Sequence, residues 1–64
     1  MNVLLNGEDF ALQGRTLADL IAETAPPTPF AAAVNTVFVP KPAYADTALK
    51  ENDRIDIVRP VVGG

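Results

Sequence analysis

Apolar and polar residues alternate near both ends of the chain, and a helical spacing lies between them. Met1, Val3 and Leu5 take one side of an opening strand, with Asn2, Leu4 and Asn6 on the other. Asn6-Gly7 then predicts a type I′ hairpin, because both central positions of that turn need positive φ. Glu8 to Leu12 returns antiparallel with Phe10 and Leu12 inward, and Gly14 ends the strand. Leu17, Leu20, Ile21 and Thr24 recur at i, i+3, i+4 and i+7, which places them on one helical face. Thr16 stands before them as an N-cap. Asp19, at the third helical position, can complete a capping box. Asp19 and Glu23 are expected to face water. Proline cannot continue the helical ladder, so Ala25-Pro26-Pro27 ends a helix of about ten residues.

The second half reads as strands. Phe30 to Asn35 is predicted extended, with the helix close over one side of its alanines. Asn35-Thr36 is a tight turn, and Val37-Phe38-Val39 is a short strand stopped by Pro40. From Lys41-Pro42 the pattern is irregular, with Tyr44 able to anchor the stretch by packing its ring. Ala48-Leu49 is expected to turn inward, and Lys50 to Asp53 forms a polar turn. Arg54 to Arg59 then alternates with Ile55 and Ile57 inward, and Pro60 removes the donor that would extend the ladder. The simplest single core for this order is a mixed sheet of four to five strands with one helix packed on one face, an α+β fold. The domain is assigned to residues 1–60, and residues 61–64 to a flexible tail.

Composition narrows the chemistry. At 64 residues the domain buries only ~60% of its unfolded surface, which leaves little room for a walled catalytic cavity. Cysteine and histidine are both absent. The chain therefore brings no thiol nucleophile, no imidazole base and neither of the commonest soft metal ligands. It is not expected to be an enzyme by itself, nor to bind a metal. The net charge of −3 speaks against nucleic acid, which calls for a clustered basic face. No apolar run approaches the ~20 residues of a membrane span, and Met1-Asn2-Val3 lacks a basic signal-peptide start. A cytoplasmic location is the expectation.

The chain ends Val61-Val62-Gly63-Gly64. Two glycines add nothing to a core, but they suit an end that must enter a narrow site on another protein. No Cβ obstructs the approach of the Gly64 carboxylate to a reagent.

Taken together, several segments resemble the bacterial ThiS family, the small sulfur carriers of thiamine biosynthesis. They are Val3-Leu4-Leu5-Asn6-Gly7-Glu8, Thr16-Leu17-Ala18-Asp19-Leu20, Ala33-Val34-Asn35, Phe38-Val39-Pro40-Lys41, Tyr44-Ala45, Leu49 to Ile55 and Gly63-Gly64. Their order and spacing carry the resemblance more than any one of them. It implies a ubiquitin-like β-grasp fold. It implies that a ThiF-like enzyme uses ATP and magnesium to adenylate Gly64. It implies that a cysteine desulfurase relay supplies sulfur to make a C-terminal thiocarboxylate, and that a ThiG-like thiazole synthase consumes that sulfur. Gly63 is the slim residue before the reacting one. In such carriers the exposed sheet face beside the tail docks partners, which nominates Leu4, Val58, Val61 and Val62.

Three features depart from the family pattern. Asn35-Thr36 stands where Asn-Gly is frequent, so a different turn type is expected there. Pro26 to Pro29 is proline-rich, and Arg59-Pro60 precedes the tail. Other functions share the Gly-Gly end: a MoaD-like carrier for molybdopterin synthesis, or a ubiquitin-like modifier joined through Gly64 to a lysine. A plain β-grasp binding module makes the glycines incidental.

Overall fold

In the computed structural model, which describes residues 1–59, β1 (Asn2–Leu5) turns through Asn6-Gly7 into β2 (Glu8–Ala11). Asn6 and Gly7 sit at φ 51° and 84°, the pair of positive values that a type I′ hairpin requires. Register runs Val3 opposite Phe10 and Leu5 opposite Glu8.

Helix α1 (Leu17–Thr24) is eight residues long, a little shorter than expected. Its start follows the sequence signal. Thr16 Oγ1 accepts from Asp19 N–H at 3.2 Å, and Asp19 Oδ2 accepts from Thr16 N–H at 3.1 Å, a complete capping box. Asp19 Oδ2 also accepts from Arg15 N–H at 2.8 Å. These bonds, the one from Arg15 first, hold its carboxyl below the usual carboxylate range. Asp19 is therefore half-buried against its own loop instead of simply facing water. Glu23 likewise reaches back to Gln13 and Gly14, accepting from their amides at 2.9 and 2.8 Å. Two acids at the spacing of one helical turn thus fasten the segment between β2 and α1. The helix ends as Ala25 turns left-handed at φ 46° and its N–H donates to Ile21 C=O.

The remaining strands are β3 (Ala31–Val34), β4 (Val37–Val39) and β5 (Arg54–Val58). β3 is shorter at both ends than the Phe30–Asn35 run expected, because Asn35 already belongs to the turn. Asn35 and Thr36 take φ 49° and 72°, so this turn keeps the conformation of Asn6-Gly7 despite lacking glycine. The stretch after Pro40 is not irregular but a 3₁₀ helix over Lys41–Asp46. Proline at its second position, with φ already fixed near the helical value, suits so short a turn. Tyr44 anchors it by stacking on Phe30, with ring centroids 6.3 Å apart. Of Ala48-Leu49, only Leu49 is buried.

The strand order is β2-β1-β5-β3-β4. β5, last in the chain, enters the middle of the sheet, parallel to β1 and antiparallel to β3. Val3, Leu12, Leu17, Leu20, Ala32, Val39, Leu49 and Ile55 form one buried core between the sheet and the helix. Ile57, Phe10, Ile21 and Tyr44 pack around it. The expected tail, residues 61–64, lies outside the described residues.

Candidate functional site

Alternation along β5 decides what the open face of the sheet presents. Ile55 is buried and Ile57 packs on the core, so Arg54, Asp56 and Val58 point the other way. Register adds their neighbours. Val58 lies opposite Ala31, and Asp56 lies opposite Ala33. Ala33 in turn lies opposite Phe38 of β4. The two alanines make a low floor with Val58 on one side and Phe38 on the other. Val58 is 58% exposed and Phe38 64% exposed. This apolar strip occupies the end of β5 from which the chain leaves the sheet.

Leu4, 36% exposed, is on the same face but not in that strip. It pairs with Arg54, four residues before Val58 on β5, a separation of about 13 Å at the usual rise of a strand. Arg54 and Asp56 lie between. Arg54 Nε and Asp56 Oδ2 are 3.2 Å apart, with the arginine largely in water. An exposed pair of this kind adds little stability, but it divides the face into a small Leu4 site and a larger strip beside Val58. Of the residues nominated from sequence, Leu4 and Val58 are thus both outward. Val61, Val62, Gly63 and Gly64 lie outside the described residues.

Phe38 was missed as a candidate for this face, and so were the two alanines. The signal was present in Val37-Phe38-Val39. Val39 is buried, and strict alternation then turns Phe38 outward on the open side. What the spacing did not reveal was which strand lay next to β5.

The end of β5 is secured from both sides. Asn6 Oδ1 accepts from Ile57 N–H at 2.8 Å, while β3 pairs with β5 as far as Val58. At the start of β5, Asn35 Oδ1 accepts from Arg54 N–H at 3.0 Å, and its amide donates to Asp53 Oδ1 at 3.1 Å. Each of the two hairpin asparagines therefore uses its side chain to hold the central strand. Among the described residues there is no enclosed pocket, no group of three or more metal-ligating side chains, and no helix long and apolar enough to cross a membrane.

Comparison with known families matches residues 3–64 to the ThiS family. Four chains of solved structures also match. One is the crystal structure of a thiamine biosynthesis protein (ThiS) from Geobacter metallireducens. It superposes at a TM-score of 0.84 with 19% identity, covering 100% of both chains. At that identity the likeness speaks for the fold, and the strand order with its one helix is accordingly a ubiquitin-like β-grasp. No curated protein matches the sequence.

Proposed function

This chain belongs to the ThiS family, the sulfur carriers of thiamine biosynthesis, and we propose that it carries sulfur as a thiocarboxylate on Gly64. The observation that carries this reading is that the family match runs through to residue 64 and so takes in Gly63-Gly64. A terminal carboxylate is ionised at neutral pH, with a usual pKa of ~3.5, and is a poor electrophile. Activation by a ThiF-like enzyme removes that obstacle. A carboxylate oxygen of Gly64 attacks the α-phosphorus of ATP, held with magnesium by that enzyme, and pyrophosphate leaves. A persulfide sulfur from a cysteine desulfurase relay then attacks the acyl carbon and AMP leaves. A thiol reduces the resulting acyl disulfide to the thiocarboxylate. The absence of cysteine in this chain means that no internal thiol competes for the persulfide. A ThiG-like thiazole synthase takes up the sulfur, and the carrier acts throughout as a co-substrate, not as an enzyme.

The open face supports this reading. Val58, Ala31, Ala33 and Phe38 offer an apolar docking strip at the end of the strand that leads toward residues 60–64. Intact mass spectrometry tests the proposal. The chain is incubated with ATP, magnesium, a ThiF-like enzyme and a sulfur source. The mass should rise by the difference between sulfur and oxygen, and a chain lacking Gly64 should show no change. Unchanged mass across several activating enzymes, with no AMP adduct, would sink the reading. Covalent joining of Gly64 to a lysine would redirect it to a protein modifier.

A further inference from the structure

The two edges of the sheet are built differently. β2 carries Glu8 and Asp9, and charge on an edge strand discourages another strand from pairing with it. β4 is Val-Phe-Val, with no charge, no proline and no glycine within it. Val37 and Phe38 are also the most exposed large apolar residues described, at 65% and 64%. They are neighbours in one strand and therefore point to opposite faces. A partner on the open face covers Phe38 but leaves Val37 in water. Only something added along the edge covers both.

The hairpin geometry shows what that edge offers. Asn35-Thr36 is a two-residue connection, with Val34 opposite Val37 and Ala33 opposite Phe38. In such a hairpin the pair flanking the turn exchanges both backbone hydrogen bonds, and the next pair exchanges none. Phe38 therefore turns its N–H and C=O away from β3, toward the open edge. One step further along the edge, Pro40 has no N–H, and its C=O already accepts from Ala43 N–H at 2.9 Å. One donor and one acceptor on a single residue are self-complementary under a two-fold axis.

We infer that a second copy of this chain pairs antiparallel along β4, centred on Phe38. Each Phe38 N–H donates to the other copy's Phe38 C=O. Val37 lies against Val39 of the other copy, and the two Phe38 rings meet on the open face. β4 itself carries no charge, so the pairing sets no like charges opposite each other although each chain carries a net charge of −3. Val58 and Ala31, further from the edge in the strand order, stay open. The inference does not rest on the sulfur-carrier reading, but Phe38 belongs to both contacts, so a partner seated on the whole strip competes with the second copy.

The contact is small, and interfaces under ~1,200 Å² are weak, so the test is a concentration series of the intact chain up to about 1 mM. Sedimentation equilibrium should move from one chain toward two across the series. In parallel, amide exchange at Phe38 should slow as concentration rises. Val37→Lys should remain a single chain throughout, with unchanged circular dichroism and constant Phe38 exchange. Phe38→Lys should behave likewise and guards against a folding defect in the first variant. A wild-type chain that stays at 6.8 kDa to the top of the series overturns the inference. So does association by either lysine variant as strong as that of the wild type.

Discussion

Asn6 Oδ1 accepts a hydrogen bond from Ile57 N–H at 2.8 Å, across 51 positions of sequence. β1 ends at Leu5 because the chain must turn there, yet β5 runs on to Val58. Asn6 N–H still donates to Ile55 C=O. The side chain then supplies the acceptor that a longer β1 would have given to Ile57. Asn6 also holds a positive φ, so its two roles can be separated. Asn6→Gly keeps the backbone and loses the acceptor, and should cost about 0.5–1.5 kcal/mol. Asn6→Ala should cost roughly 1 kcal/mol more, since alanine resists the left-handed region. Urea unfolding measures both. Amide exchange at Ile57 should quicken in either variant, and unchanged protection there would refute the role given to Oδ1.

The opposite hairpin predicts a gain. Thr36 is β-branched and sits at φ 72°, where L-residues are disfavoured by roughly 1–2 kcal/mol. Thr36→Gly removes that cost and introduces the greater unfolded-state freedom of glycine, which offsets part of it. The net expectation is a stabilisation of about 0.5–1 kcal/mol by thermal or chemical unfolding. A loss of stability would mean that the Thr36 side chain contributes something beyond the turn.

Gly14 is required by space rather than by a positive φ. A Cβ there would collide with Asp19 Cβ and its carboxyl group. That carboxyl accepts from Arg15 and Thr16 and completes the helix cap. Gly14→Ala should therefore cost about 1–3 kcal/mol, the usual range for overpacking. The amides of Arg15 and Thr16 should lose exchange protection first.

Acid should act through the same group. The Asp19 carboxyl is held below its usual range, chiefly by the Arg15 amide and then by Thr16. A carboxylate with a depressed folded pKa contributes stability above its unfolded pKa. That contribution fades as pH falls through the folded value. Stability of the wild type should therefore decline below the ordinary carboxylate range. In Asp19→Asn that part of the decline should be absent and the pH profile shallower, as read by unfolding midpoints at successive pH values. A profile as steep as that of the wild type would assign the acid sensitivity elsewhere.

On the open face, Val58→Asp places a charge beside Ala31 in the apolar strip at the C-terminal end of β5. Val58 contributes little to the core at its exposure, so the fold should survive. Affinity for a ThiF-like enzyme should fall at least tenfold, as burying an uncompensated carboxylate implies. Leu4→Asp, on the far side of the Arg54–Asp56 pair, should have the smaller effect. Equal affinity for wild type and Val58→Asp would remove this strip from the interface.

Much of this protein was legible in its sequence, and wherever it was, the controlling interaction was local. The helix start could be read because Thr16 and Asp19 bond across three residues. The first hairpin could be read because Asn-Gly meets the demand for two positive φ values without help from distant residues. The inward set Val3, Leu12, Leu17, Leu20 and Ile55 followed from periodicity. The Gly63-Gly64 signature needs no fold to be seen. Tertiary structure alone decided the place of β5, because pairing with β1 and β3 depends on partners some 20 to 50 residues away. It held the Asn35-Thr36 turn in the glycine-like conformation, since Asn35 must reach Arg54 of β5 and Asp53 just before it. It turned Asp19 and Glu23 from surface charges into fasteners of a loop whose amides had no other acceptor among the described hydrogen bonds. It also chose the neighbours of Val58. Alternation can say that a side chain points outward, but only strand order says what stands beside it, and here that is Ala31 and not Leu4.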